Sequence, residues 1–293
     1  GVVNLPYAGH GTLGAGSTNS SHPHVYFAGR ADGFLPWATV NGTNFAQYSS
    51  ENGVSMATPP TTEFNGAANQ AGVHVRYTAA RGGAEDLLYD NRSVASMTVT
   101  PGANNSIELW DKTLTITTGG FLLNGNNPFT ILAGAGGTIT GSNPIFNVAS
   151  ASGVLTNYGA ITGANVFSKE GAGRMVLLAD NSNSGGTRIG GGILQLGDGA
   201  TVGNVGAGDV VNYGTLMFHR SDNLTFTNNI VGDGGLVKTN QNMLTLTGAN
   251  TYTGATLIGS GVVSVERITD GADSQLGVMR PMLPDLGYLQ IMD

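Results

Sequence analysis

From about residue 94 the chain alternates between apolar and polar positions. Val94, Met97 and Val99 lead to Ile107 and Leu109, and Thr113-Leu114-Thr115-Ile116-Thr117 alternates without a break. A period of two puts one face of a strand in a core and the other in water. Phe121-Leu122-Leu123, Thr130-Ile131-Leu132, Thr138-Ile139-Thr140, Ile145-Phe146-Asn147-Val148 and Val154-Leu155-Thr156 follow, with Gly or Asn between the runs. Strand starts recur every ~7–10 residues, and the turns between them are too short for crossover helices. An antiparallel sandwich gives such spacing, and so does a coil of parallel strands.

An internal repeat favours the coil. Residues 167–196 align with 236–265 at an offset of 69 without a gap, with eight identities over thirty positions. The identities are Lys169/Lys238, Leu177/Leu246, Asn181/Asn250, Gly185/Gly254, Thr187/Thr256, Ile189/Ile258, Gly190/Gly259 and Gly192/Gly261. A fixed-period repeat of strand-forming segments is the signature of a solenoid. The offset divides into three turns of ~23 residues, which predicts three-faced rungs and about a dozen turns in all. Asn157-Tyr158-Gly159 and Asn212-Tyr213-Gly214 are expected to stack as equivalent positions on such rungs. The regular part is placed at 94–293. Residues 1–93 read as an irregular N-terminal part carrying a loop and aromatic insertion, Phe27 to Tyr48.

Composition agrees. Charged residues are 11% of the chain and Gly is 47 of 293, against usual values of about 25% and ~7%. Hydrophobic residues still make up 40%, enough to bury, so the chain is not of the disordered class. Gly and Asn suit corners, while Thr, Val, Ile and Leu suit strands. Cysteine is absent, which excludes disulfides and thiolate metal sites. A net charge of -7 without a basic patch argues against a nucleic-acid partner. No apolar run is long enough for a transmembrane helix, and GVVNLPYAGH has neither part of a signal peptide.

The repeat residues carry a family resemblance. Lys238, Leu244-Thr245-Leu246-Thr247-Gly248, Asn250-Thr251-Tyr252-Thr253-Gly254 and Thr256 resemble the autotransporter-associated β-strand repeat, and Lys169, Asn181, Gly185-Gly186-Thr187 and Gly192 are similar to a degenerate copy. Phe34 to Thr43 and Ile268 to Gly277 look like segments of the longer modules of that family. Asn240 stands where the family has Gly, and Ala255 follows Gly254 where the family has a second Gly. The resemblance implies an all-β, right-handed parallel β-helix, exported and found outside the cell or on its outer surface, with the repeat serving export and stability rather than catalysis. No membrane barrel is recognisable, so the chain is expected to be a passenger piece.

Candidate chemistry is sparse. His22-Pro23-His24 with His10 lacks a third ligand at a recognisable spacing and reads as loop histidines. Asp198, Asp209, Asp222 and Asp233 recur at 11 to 13 residues. Carboxylates converging on a cleft would suit glycoside cleavage, but their Gly- and Asn-rich neighbourhoods favour solvated turns. Gly190-Gly191-Gly192 and Gly134-Ala135-Gly136-Gly137 lack the helix that phosphate cradling needs. Tyr26, Phe34 and Trp37 form a possible ligand platform, though such a cluster more often packs over a solenoid.

The expectation is therefore a non-enzymatic structural or adhesive solenoid without cofactors or metals. Its partners would be neighbouring solenoid repeats or, since Val2-Val3-Asn4-Leu5 and Tyr288-Leu289-Gln290-Ile291 read as rung strands, other copies of itself stacked head to tail; surface glycans are a further candidate. A carbohydrate-binding or carbohydrate-cleaving β-helix is the alternative.

Overall fold

A computed structural model describes the backbone of residues 33–40, 44–49, 53–56, 62–64, 69–78, 87–102, 106–142, 144–265, 278–279 and 287–291, with side chains only within 62–265 and at Gln47. All regular elements among them are strands. Strands β1 (Gly33–Val40), β2 (Asn44–Ser49) and β3 (Gly53–Met56) form a small antiparallel sheet. Every later pairing is parallel.

The chain then winds through β4 (Thr62–Glu63), β5 (Gln70–Thr78), β6 (Arg92–Thr100), β7 (Ser106–Glu108), β8 (Thr113–Leu123), β9 (Phe129–Leu132), β10 (Thr138–Gly141), β11 (Ile145–Val148), β12 (Val154–Asn157) and β13 (Ala160–Ile161). It continues through β14 (Phe167–Glu170), β15 (Arg174–Leu177), β16 (Thr187–Ile189), β17 (Ile193–Leu196), β18 (Val210–Asn212), β19 (Thr215–Phe218), β20 (Leu224–Phe226), β21 (Ile230–Val231), β22 (Gly235–Lys238) and β23 (Met243–Leu246). The last strands are β24 (Ala255–Ile258), β25 (Gly261–Val265), β26 (Val278–Met279) and β27 (Gly287–Ile291).

Hydrogen bonding sorts them into faces. Face one stacks β4, β5, β6, β8, β11, β14, β16, β18 and β21. Face two stacks β7, β9, β12, β15, β17, β19, β22, β24 and β26. Face three ends as β20, β23, β25 and β27. Lower down, the first half of β8 pairs β10, which pairs β13. Single backbone bonds carry that side onward, from Ser182 N to Ile161 O and from Ala207 N to Asn183 O, both 2.9 Å. The result is the expected parallel β-solenoid, of about eight turns rather than a dozen, or ~40 Å of stacked strands.

Inward positions form continuous ladders. One runs Ile107, Ile131, Asn157, Leu177, Leu196, Phe218, Lys238 and Ile258, each paired with the next. All are buried. Consecutive members are 19 to 26 residues apart, so turns vary around the expected ~23. Phe121, Phe146 and Phe167 stack along face one with ring centroids 5.3 and 5.7 Å apart. Burying each such side chain contributes about 1.5–3 kcal/mol.

The repeat does not recur after a whole number of turns. Lys169 ends a face-one strand, pairing Phe146 and Ile189, whereas Lys238 ends a face-two strand, pairing Phe218 and Ile258. Each repeat strand moves to the next face in the same way: β14 becomes β22, β15 becomes β23, β16 becomes β24 and β17 becomes β25. The 69-residue offset thus spans three turns plus one face, not three turns of 23. Asn157 and Asn212 are likewise on faces two and one, so those echoes are not stacked. The sequence repeats a corner with its flanking strands, and the two copies sit at neighbouring edges.

Each turn of a solenoid contacts mainly its neighbours, so damage stays local. Leu216→Ala removes a fully buried side chain and is expected to cost about 2–5 kcal/mol. Hydrogen exchange should accelerate in the adjoining strands β17, β19 and β22 while β6 and β8 stay protected.

Candidate functional site

The buried cations of the repeat close corners of the solenoid. At the end of β14, Lys169 is fully buried, and its Nζ donates to the carbonyl oxygens of Glu170 (2.9 Å), Gly171 (2.9 Å) and, one turn on, Gly191 (3.1 Å). At the end of β22, Lys238 is 1% exposed, and its Nζ donates to the carbonyls of Thr239 (2.6 Å), Asn240 (2.8 Å) and, one turn on, Ser260 (3.4 Å). The three carbonyls are equivalent between copies. Asn242 Oδ1 adds a fourth acceptor at 2.7 Å, where the first copy has Gly173. A chain turning through a corner leaves carbonyls that no strand can pair, and a buried unpaired carbonyl costs about 1–3 kcal/mol. The lysine stem fills the ladder position while its amine reaches those carbonyls.

The other repeat residues do related work. Asn181 Oδ1 accepts from Ile161 N at 2.7 Å, and Asn250 Oδ1 accepts from Ile230 N at 2.9 Å, each bridging to the preceding turn. A Cβ at Gly185 would overlap the backbone of Asn165, and one at Gly254 the backbone of Gly234. Thr187 Oγ1 donates to Val205 O at 3.0 Å, whereas the Thr256 hydroxyl pairs with Tyr252 Oη at 2.6 Å. Asn240, the departure from the family glycine, has φ +66°, while its counterpart Gly171 has φ +79°. Asn is among the few side chains tolerated there, and its Nδ2 donates to Arg220 O at 3.1 Å.

Sequence reasoning missed one more such cation. Arg220 is 8% exposed and its guanidinium donates to Gly203 O at 2.7 Å, to Thr201 O, and to Asp222 Oδ1 and Oδ2 at 2.9 and 2.7 Å. It closes the long loop after β17. A lone Arg two residues before Asp222 and downstream of the Gly-rich segment 197–203 was the available signal. Arg188 pairs with Glu170 and lies over the Tyr213 ring, 5.2 Å from its centroid. Burial raises the Glu170 carboxyl, opposed by Arg188 and Lys169.

The four aspartates do not converge. Asp198 and Asp222 follow face two, Asp209 precedes β18 and Asp233 precedes β22, which puts them on three different corners. Among the described residues, no group of three His, Cys, Asp or Glu could hold a metal. An open hollow of about 490 Å³ beside Asn204, Gly206, Asp209, Asn228 and Asn229 has one carboxylate and no second titratable group. His10, His22, His24 and Tyr26, and the side chains of Phe34 and Trp37, lie outside the described residues; β1 holds the backbone of the last two.

The arrangement defines a class: a parallel β-solenoid whose repeat encodes corner closure. The passenger-associated-transport-repeat family model matches residues 167–196 and 236–265, the two copies of the internal repeat. The chain is also 38% identical over 73 residues, a quarter of its length, to the adhesin BmaC autotransporter of Brucella suis biovar 1 (strain 1330). The matched segment spans 2% of that relative. No solved structure matches.

Two outcomes test the corner account. Lys238→Met keeps the stem but not the donor and should cost about 3 kcal/mol by urea unfolding. Lys112→Met, at a half-exposed salt-bridged position, should cost under about 0.5 kcal/mol. Burial pulls Lys169 down to about 7, opposed by Glu170, and pulls Lys238 down to about 8, from 10.5 for an ordinary lysine. Between those values the unfolded chain binds more protons than the folded one, so these groups make stability rise with pH from about 7 towards 10. That slope should be smaller in the Lys169→Met, Lys238→Met double variant.

Proposed function

We propose that this chain is a non-catalytic shaft segment of a large bacterial surface or secreted protein. The observation that carries the reading is the corner lysine cage within a parallel stack: two buried lysines close corner carbonyls of their own turn and tie it to the next, so the rod lengthens turn by turn without a growing core. A structure built this way supplies stiffness and reach. The passenger repeat and the adhesin relative support display outside the cell. The four aspartates, scattered over three corners, favour this reading over glycan cleavage.

In its finer form the proposal includes growth by strand addition. The parallel pairing that joins β25 to β27 would join these rungs to those of neighbouring repeats or of a second copy, a heterologous contact that propagates. Light scattering across a wide concentration range, with electron micrographs of the same samples, tests this. Filaments whose length grows with concentration are expected, and short rods of constant mass would overturn self-assembly while leaving the shaft intact. Display is tested separately, by labelling intact cells that express the parent protein with antibody to this segment. Labelling only after permeabilisation would overturn it.

A further inference from the structure

We propose that the free edge of β20 is a docking site for an uncharged, extended peptide segment of a partner protein, which adds to face three as one more strand. The proposal is independent of end-to-end growth, because this edge lies part-way along the rod.

Face three is interrupted here. β20 pairs with β23 on one side, and the sheet ends at β20 on the other. Thr247 N donates to Phe226 O at 3.1 Å, so the main-chain groups of Phe226 face the next turn. Successive groups of an extended strand point to opposite edges, which leaves the N–H and C=O of Thr225 and Thr227 on the open side. Both threonines are exposed.

The preceding turn is held in a shape that does not pair. Where face three would have a strand, residues 201–208 form a loop, with Gly203 and Gly206 at φ +97° and +77°, values outside the strand region. The carbonyls of this loop are already engaged. Arg220 donates to those of Thr201 and Gly203, and Asn228 Nδ2 donates to those of Gly206 at 3.0 Å and Gly208 at 2.6 Å. Between the loop and β20 lies the hollow of about 490 Å³. A bare strand edge is a template for another strand, and proteins guard such edges with charges, Pro or bulges. β20 has no such guard: residues 224–228 are uncharged, lack Pro, and pair with β23 without a register shift.

The edge also defines its occupant. On its other side β20 pairs with the alternating Leu-Thr-Leu of β23, Leu224 with Leu244 and Phe226 with Leu246. A segment of the same pattern makes main-chain bonds to Thr225 and Thr227, the mode of strand addition. Its apolar side chains meet Leu196 and Leu224, the latter only partly buried against the core. Charged side chains are disfavoured. Asp209, the one carboxylate of the hollow, already accepts from Asn229 Nδ2 at 2.9 Å, and a charge taken from water without a partner is costly. A second copy has no matching strand to give, since β23 and the first half of β8 are paired on both edges. The segment therefore comes from a different protein.

Two synthetic peptides stand in for the partner: acetyl-Ser-Leu-Thr-Leu-Thr-Ser-amide and acetyl-Ser-Glu-Thr-Glu-Thr-Ser-amide. Each is added to the whole chain at up to millimolar concentration, with affinity read by calorimetry and the Thr225 and Thr227 amides followed by hydrogen exchange. The neutral peptide should bind and slow exchange at both amides, and the acidic one should bind at least ten-fold more weakly. Thr225→Pro removes a free N–H, and Ala207→Phe fills the hollow from its exposed wall. Each should weaken binding at least ten-fold. Thr225→Pro should also leave the melting temperature close to that of the parent chain, whereas Thr245→Pro, in a strand paired on both sides, should lower it. Absence of binding, equal binding of the acidic peptide, or unchanged affinity in Thr225→Pro or Ala207→Phe would overturn the proposal. So would a Thr225→Pro chain that melts as low as Thr245→Pro, which would mean that this N–H is already paired. Self-association lost in Thr225→Pro would overturn it too, by making the occupant a second copy.

Discussion

A chain that turns three corners per coil must dispose of carbonyl groups that point inward where no strand can pair them. Everything distinctive in this solenoid answers that constraint. The faces need only apolar side chains at alternate positions, and many sequences supply those. The corners need donors inside a narrow apolar interior, and two lysines and an arginine provide them at the ladder ends. Asparagines at 157 and 212 serve the same end, their Nδ2 groups donating to the carbonyls of Gly159 at 2.8 Å and Gly235 at 2.9 Å.

This explains why the repeat has the composition it has. Lys169 and Lys238 are the donors, Gly185 and Gly254 permit the close approach of successive turns, and Asn181 and Asn250 tie one turn to the last. None of these roles depends on which face is involved. A corner unit therefore serves at any edge of the prism, and the two copies here serve at neighbouring edges. The same independence lets such a rod tolerate turns of unequal length, with extra residues taken up in loops such as that closed by Arg220.

Strands were legible because alternation is a direct image of burial: Leu114, Ile116, Ile131 and Ile139 were read as inward and are fully buried. The parallel coil was legible from the repeat. Its phase was not. An offset of 69 is close to three average turns, but turn lengths vary, and sequence identity marks corner chemistry rather than angular position. Asn157 and Asn212 misled for the same reason, since identical local roles were taken for identical places on the stack.

The chain has three lysines, and they offer a direct measurement of the central claim. Native protein treated with an amine-acylating reagent and digested for mass spectrometry reports the accessibility of each amine. If interior amines close the corners, Lys112 is modified readily while Lys169 and Lys238 react only after denaturation. Acylation of Lys169 or Lys238 in the folded protein at the rate of Lys112 would contradict the account.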